Sequence, residues 1–199
     1  MPGVQHMRHT HLPEHKFVKG EPDTGVEMAE DLERIAMNFG GENIAACIIE
    51  PIAGSTGTLV PPKGYLKRIR DICNKHGILL IFDEVITGWG RTGSAFAAQE
   101  WNVTPDIMTM AKATTNGVVP MGVVAVKEEI YDAVLDASSA PEGTPELFHG
   151  YTYSGIPVAV AAALAVQDIF DKEDLINRAK EMSPYFQDGL HSLKDLKEV

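Results

Sequence analysis

Three apolar runs end on residues that can do chemistry. Ile44 to Ile49 stops at Glu50 and Pro51, Ile78 to Phe82 stops at Asp83 and Glu84, and Asp106 to Met110 is followed two residues later by Lys112. A lysine taken out of water has its charged form disfavoured, which leaves a neutral amine able to form a Schiff base with an aldehyde. A carboxylate held against a pyridine nitrogen keeps that nitrogen protonated and turns the ring into an electron sink. Each residue alone has a plainer reading: a carboxylate after a strand is commonly a helix cap or a solvated end, and a lysine there is commonly a surface lysine. Their shared position is what makes the set informative, because ligands of open α/β sheets gather outside the carboxyl ends of the strands.

The elements that must position these residues follow from hydrophobic spacing. Val26, Leu32, Ile35, Ala36 and Phe39 recur near helical spacing and stop at Gly40-Gly41. A strand from Ile44 to Glu50 follows. Leu66, Ile69, Ile72 and Cys73 then mark a second amphipathic helix closed by His76-Gly77, and Ile78 to Asp83 a second strand. Asp106 to Met110 and Val123 to Val126 read as further strands, with Lys112, Asn116-Gly117 and Pro120 in the loop between them. Pro157 to Phe170 is an Ala-rich helix, and Glu173 to Leu193 a helix interrupted by Pro184. Short strands with consecutive apolar residues predict burial on both faces, and helical crossovers predict a mostly parallel sheet covered by helices. The fold class is therefore α/β. Strands cease after about Lys127, which suggests a boundary near Gly155, with residues 1–154 in the sheet domain and 155–199 beginning with a helix that leads out of it.

Composition narrows the function classes. The chain has 199 residues, 44% hydrophobic and 23% charged, the profile of an ordinary globular protein. Its 17 Lys and Arg against 28 Asp and Glu give a net charge of -11, which opposes a phosphate backbone, so nucleic acid is not expected as a partner. No apolar run is long enough to span a bilayer and Met1 to Thr10 has no signal-peptide core, so no membrane partner and a cytoplasmic location are expected. Cys47, inside an apolar run, and Cys73, on the apolar side of a helix, are expected as buried reduced thiols. The first 22 residues, rich in His and Pro, read as an exposed connecting segment. His6, His9, His11 and His15 lack the Cys or paired carboxylate companions of a metal site, and no metal is expected.

Longer motifs add a resemblance. The segment from Ile81 to Gly93 (IFDEVITGWGRTG) resembles the cofactor-site signature of class III aminotransferases, and Pro105 to Ala113 (PDIMTMAKA) resembles the segment that holds their Schiff-base lysine. Glu50 to Gly57 (EPIAGSTG) resembles the family's strand-end glutamate loop, and His149 to Gly155 (HGYTYSG) its phosphate-contacting threonine loop. The four motifs stand in family order. The resemblance implies a fold type I large domain with pyridoxal 5'-phosphate as cofactor, and carries roles to particular residues. Lys112 would form the Schiff base and shuttle the proton, Asp83 would pair with the pyridine nitrogen, and Val85 would pack on one ring face. Thr152 would bind the phosphate of a neighbouring subunit's cofactor, which implies a homodimer with shared sites, and Glu50 would line the substrate side. Arg91 would anchor the glycine loop.

The stretch from Ala53 to Leu66 looks most like the ω-amino acid (β-alanine):pyruvate branch, with an amino donor and a 2-oxo acid as the small-molecule partners. Other class III aminotransferases (4-aminobutyrate, ornithine or diamine type) and aminomutases share the same lysine and aspartate. Full family members are much longer, so this chain is expected to be a fragment lacking the phosphate-cradling glycine-serine loop and the carboxylate-binding arginine. Two other classes remain: an incomplete descendant acting only as an interaction protein, and a nucleotide-binding α/β domain, against which stands the absence of any G-x-G-x-x-G or P-loop after a strand.

Overall fold

The computed structural model describes residues 3–138 and 149–197. Its centre is a four-stranded sheet in sequence order: β1 (Ala46–Ile49), β2 (Leu79–Asp83), β3 (Ile107–Met110) and β4 (Val123–Val126). The first three strands run parallel and β4 returns antiparallel to β3. The helices are α1 (Glu30–Phe39), α2 (Tyr65–His76), the single turn α3 (Ala97–Glu100), α4 (Glu128–Ala137), α5 (Pro157–Lys172) and α6 (Leu175–His191). The α/β class and the mostly parallel sheet expected from the pattern are both present.

The core lies on one face of this sheet. Leu80 and Phe82, two residues apart on β2, point the same way and are fully buried with Cys47 of β1 against Leu66, Ile69 and Ile72 of α2 and Leu32 of α1. Helix α2 forms where it does because its apolar residues share one face and its ends are marked. It ends at Gly77 (φ 69°), whose left-handed conformation lets the Ile78 N–H reach the Cys73 carbonyl at 2.9 Å. Cys47 and Cys73 are both buried and free of disulfides, as expected.

Three expectations are corrected. The sheet is not buried on both faces: opposite the core, Ile48 is 62% exposed and Val124 65%. The reason is that α1 and α2 pack against each other on the same side. Pro184 does not interrupt the last helix, because α6 runs through it. Proline there forgoes one amide hydrogen bond, while its fixed φ suits a helix and the neighbouring turns carry on. Nor is the amino-terminal segment merely an exposed connection. His15 is only 7% exposed; its Nδ1 lies 3.2 Å from the Leu12 N–H and its Nε2 3.3 Å from Thr24 Oγ1, while Leu12 packs on the core. Among the described residues no group of His, Cys, Asp and Glu is arranged to hold a metal, and no helix is long and apolar enough to cross a membrane.

Candidate active site

Register brings the strand-end residues to one edge. Ile49 pairs with Phe82, so Glu50 and Asp83 follow side by side, and Asp83 pairs with Thr109, three residues before Lys112. Alternation puts Asp83 on the side of Leu79 and Ile81, away from the packed core. Asp83 Oδ1 accepts the Val85 N–H at 3.0 Å, and among the described residues no donor reaches its Oδ2. Val85 is half-buried in the turn that leaves the strand. Beyond Asp83, the Glu84 N–H donates to the Thr109 carbonyl at 2.9 Å and keeps β2 and β3 together up to the edge.

Glu50 is half-buried and turns back on its own loop, its Oε2 accepting the Gly54 N–H at 3.0 Å. Gly54 sits close against Ile86, whose Cδ1 would lie 2.5 Å from a β-carbon there and would have to turn aside. The loops after β1 and β2 thus touch, and Glu50 is held next to the segment that follows Asp83.

Lys112 opens a short 3-10 turn, Lys112–Thr114, immediately after β3, with a left-handed φ of 42°. The side chain is exposed, and among the described residues it makes no hydrogen bond or ion pair. The desolvation expected of this lysine is therefore absent from the chain as it stands: the turn carries Lys112 past Met110, the last buried residue of β3, and nothing described covers it. Helix α5 packs against this turn. Thr152 lies in an exposed turn that closes on itself, the Tyr151 N–H donating to Ser154 Oγ at 2.9 Å. No hydrogen bond links Thr152 to Lys112 or Asp83.

Two residues that shape this edge have partners the sequence did not reveal. Glu84 is fully buried and accepts from the N–H groups of Ala97 (2.9 Å) and Ala98 (2.8 Å) and from Thr87 Oγ1 (2.6 Å). It caps α3 and closes the glycine loop between Thr87 and Phe96. The sequence marked Glu84 as an acid closing an apolar run, but not as the cap of a later helix. Trp89, in that loop, donates its indole N–H to Thr114 Oγ1 at 2.9 Å. Arg91, expected as the anchor, is exposed and makes no hydrogen bond or ion pair among the described residues; Trp89 ties the loop down instead. Gly90 and Gly93 (φ 86° and 89°) let the loop approach α6, where a β-carbon on either would stand 3.3 Å from Ile176 or Lys180.

A parallel sheet with an aspartate, a lysine and a glutamate gathered at its carboxyl edge is the arrangement of an α/β enzyme that handles a ligand at its strand ends. Comparison with known proteins makes this specific. The aminotransferase class-III family matches residues 1–199, and the chain belongs to that family. It is 54% identical over 198 residues to an omega-aminotransferase of Caulobacter vibrioides, covering 99% of this chain and 44% of that protein. It is 48% identical to an omega-amino acid–pyruvate aminotransferase of Pseudomonas putida, covering all of this chain and 44% of that one. A thermostable (S)-enantioselective omega-transaminase from Thermomicrobium roseum superposes with a TM-score of 0.79 at 43% identity, over 85% of this chain and 36% of its own. The chain thus spans less than half the length of the relatives it matches. Class III aminotransferases depend on pyridoxal phosphate, and the solved relatives have fold type I.

Proposed function

We propose that this chain carries the catalytic lysine and the ring-activating aspartate of a pyridoxal-phosphate-dependent aminotransferase that moves an amino group from an ω-amino acid such as β-alanine to a 2-oxo acid such as pyruvate. The observation that carries the reading is the register: it sets Asp83 and the Lys112 turn at one edge of adjacent strands. The residues present fit the cofactor, since one oxygen of Asp83 has no donor and the Lys112 amine is exposed and unengaged. Bound pyridoxal phosphate supplies an electron-accepting ring. Lys112 would hold its aldehyde carbon and move a proton at the amino-bearing carbon of the donor. Asp83 would keep a proton on the ring nitrogen, Val85 would pack against a ring face, and Glu50 would line the substrate side. Thr152 would serve the phosphate of a neighbouring copy, in a cytoplasmic homodimer with shared sites. We further assign residues 1–154 to the large domain and 155–199 to the helix leading into the small one, a division supported by the start of α5 at Pro157.

The ω-amino acid branch is favoured by identity: 48% to the omega-amino acid–pyruvate aminotransferase and 49% to a beta-alanine–pyruvate aminotransferase of Pseudomonas aeruginosa, against 40% to a putrescine–pyruvate aminotransferase of Pseudomonas aeruginosa and 37% to a gamma aminobutyrate transaminase of Solanum lycopersicum. Borohydride reduction in the presence of pyridoxal phosphate, with peptide mapping, tests the lysine. An amine-transfer assay of the full-length protein with β-alanine and pyruvate tests the reaction, and Lys112→Ala abolishes both signals. Transfer that survives Lys112→Ala rules the assignment out, and 4-aminobutyrate or putrescine outcompeting β-alanine moves the protein to another branch.

A further inference from the structure

The left-handed φ of 42° at Lys112 is a conformation that a residue with a β-carbon holds only when its surroundings impose it. The constraint begins at the Ala111 carbonyl. Thr114 donates to that oxygen twice, from its N–H and from its hydroxyl, each at 2.9 Å. Two bonds to one carbonyl fix the plane of the peptide joining Ala111 to Lys112, and φ of Lys112 is measured from that plane. The same hydroxyl accepts the Trp89 indole N–H at 2.9 Å. Indole nitrogen is a donor only, so the direction of the relay is settled: Trp89 gives to Thr114, and Thr114 gives to Ala111. Each bond polarises the next. Thr114 is 3% exposed, which keeps water from standing in for the indole. Trp89 is itself left-handed (φ 59°) and is braced edge-on by Phe96, ring centroids 5.1 Å apart.

We propose that Trp89 is a positioning residue for Lys112: through Thr114 it holds the turn that presents the Lys112 amine to an aldehyde. The inference rests on the role proposed above for Lys112 and adds the device that sets its geometry. Three substitutions in the 199-residue chain separate hydrogen bond from packing. Trp89→Phe keeps a ring against Phe96 and removes the N–H. Thr114→Val keeps the shape and removes the hydroxyl, and Thr114→Ser restores the hydroxyl.

Two readouts are needed. Without cofactor, the amide resonance and HN–Hα coupling of Lys112 in 15N-lysine-labelled chain report its backbone, with Lys67 of α2 and Lys172, the last residue of α5, as controls. With pyridoxal phosphate and borohydride, peptide mapping gives the share fixed at Lys112 relative to Lys67 and Lys172, whose side chains are 72% and 75% exposed. Trp89→Phe and Thr114→Val are expected to shift the Lys112 amide and leave the controls in place. They should also cut the Lys112 share about fivefold, the effect of one lost hydrogen bond, while Thr114→Ser stays within about twofold of the parent. An unmoved Lys112 amide and share in both variants overturns the proposal, and so does a Thr114→Ser variant that falls as far as Thr114→Val. A parent chain that labels Lys112 no better than the controls sinks the functional reading instead. The positioning claim is then upheld or overturned by the Lys112 amide alone.

Discussion

Glu84 accepts three hydrogen bonds with two oxygens in a place water does not reach. Replacing it by alanine strands two backbone N–H groups and a hydroxyl, and the expected loss of stability is on the order of 3 kcal/mol. Glu84→Gln is expected to be nearly as damaging, because an amide turns a donor toward a donor; a urea midpoint equal to the parent's for that variant would refute the carboxylate's role. Asp83→Asn behaves differently. Its remaining oxygen still accepts the Val85 N–H, so stability is expected to stay within about 0.5 kcal/mol of the parent. Single-turnover amine transfer by the full-length protein is expected to fall roughly a thousandfold, about 4 kcal/mol, since an amide cannot hold the ring proton. Asp83 and Lys112 were legible as candidates because a charged residue ending an apolar run is visible by type alone. Glu84 was visible by the same sign, but its capping role was not, nor was the part played by Trp89, since the Ala97 and Ala98 N–H groups and the Thr114 hydroxyl they bond lie 13 to 25 residues away. The exposure of Lys112 was equally hidden, because burial depends on what covers a turn and not on the turn.

Elements of this fold are tied together at the end of the sheet opposite the candidate site. Asp106, just before β3, accepts from Arg70 of α2 at 2.7 Å, from the Leu80 N–H of β2 at 2.7 Å, and from Lys127 at the start of α4 at 2.8 Å. Burial pushes the Asp106 carboxyl up, but the hydrogen bonds from Lys127, Leu80 and Arg70 outweigh it and hold the group below the usual carboxylate range. A carboxyl depressed in the folded state contributes stability in full above its unfolded value, about 3.9, and loses it as pH falls through the lower folded value. Asp106→Asn should therefore remove on the order of 3 kcal/mol near neutral pH and flatten the acid limb below about pH 4. Urea midpoints followed from neutral to acid pH check this, and a variant with the parent's acid limb would contradict it. The strands themselves were legible to within two residues at each end, because their apolar runs are short and bounded by Pro, Gly or acids. One-sided coverage was not. A run such as Ala46 to Ile49 reads alike whether a helix covers both its faces or one, and Ile48 and Cys47 alternate between 62% and 7% exposure without any change of residue class.

On the scale of the whole molecule, two forces act against each other. The uncovered sheet face is continuous across all four strands, because the register sets Ile48 beside Ile81, Ile81 beside Ile107 and Ile107 beside Val126. Ile48, Val124 and Val126 are 62%, 65% and 45% exposed. Covering side chains that are already about half covered stabilises by roughly 1 to 2 kcal/mol each, so association draws on the patch as a whole and is expected to be weak. A net charge of -11 opposes it, since two copies repel before their faces meet. That repulsion reaches about 8 Å in physiological salt and about 3 Å in molar salt, whereas apolar burial is not screened. Self-association of the 199-residue chain is therefore expected to strengthen with added salt, the reverse of an assembly held by ion pairs. Sedimentation velocity over a range of concentrations should give a mean coefficient that climbs with concentration, more steeply in molar than in low salt. Ile48→Lys combined with Val124→Lys should return it to a concentration-independent value, because two charges in the centre of the patch have no partner across a dry interface. A parent chain that sediments as a monomer at every concentration in molar salt would show that this face does not hold a second copy.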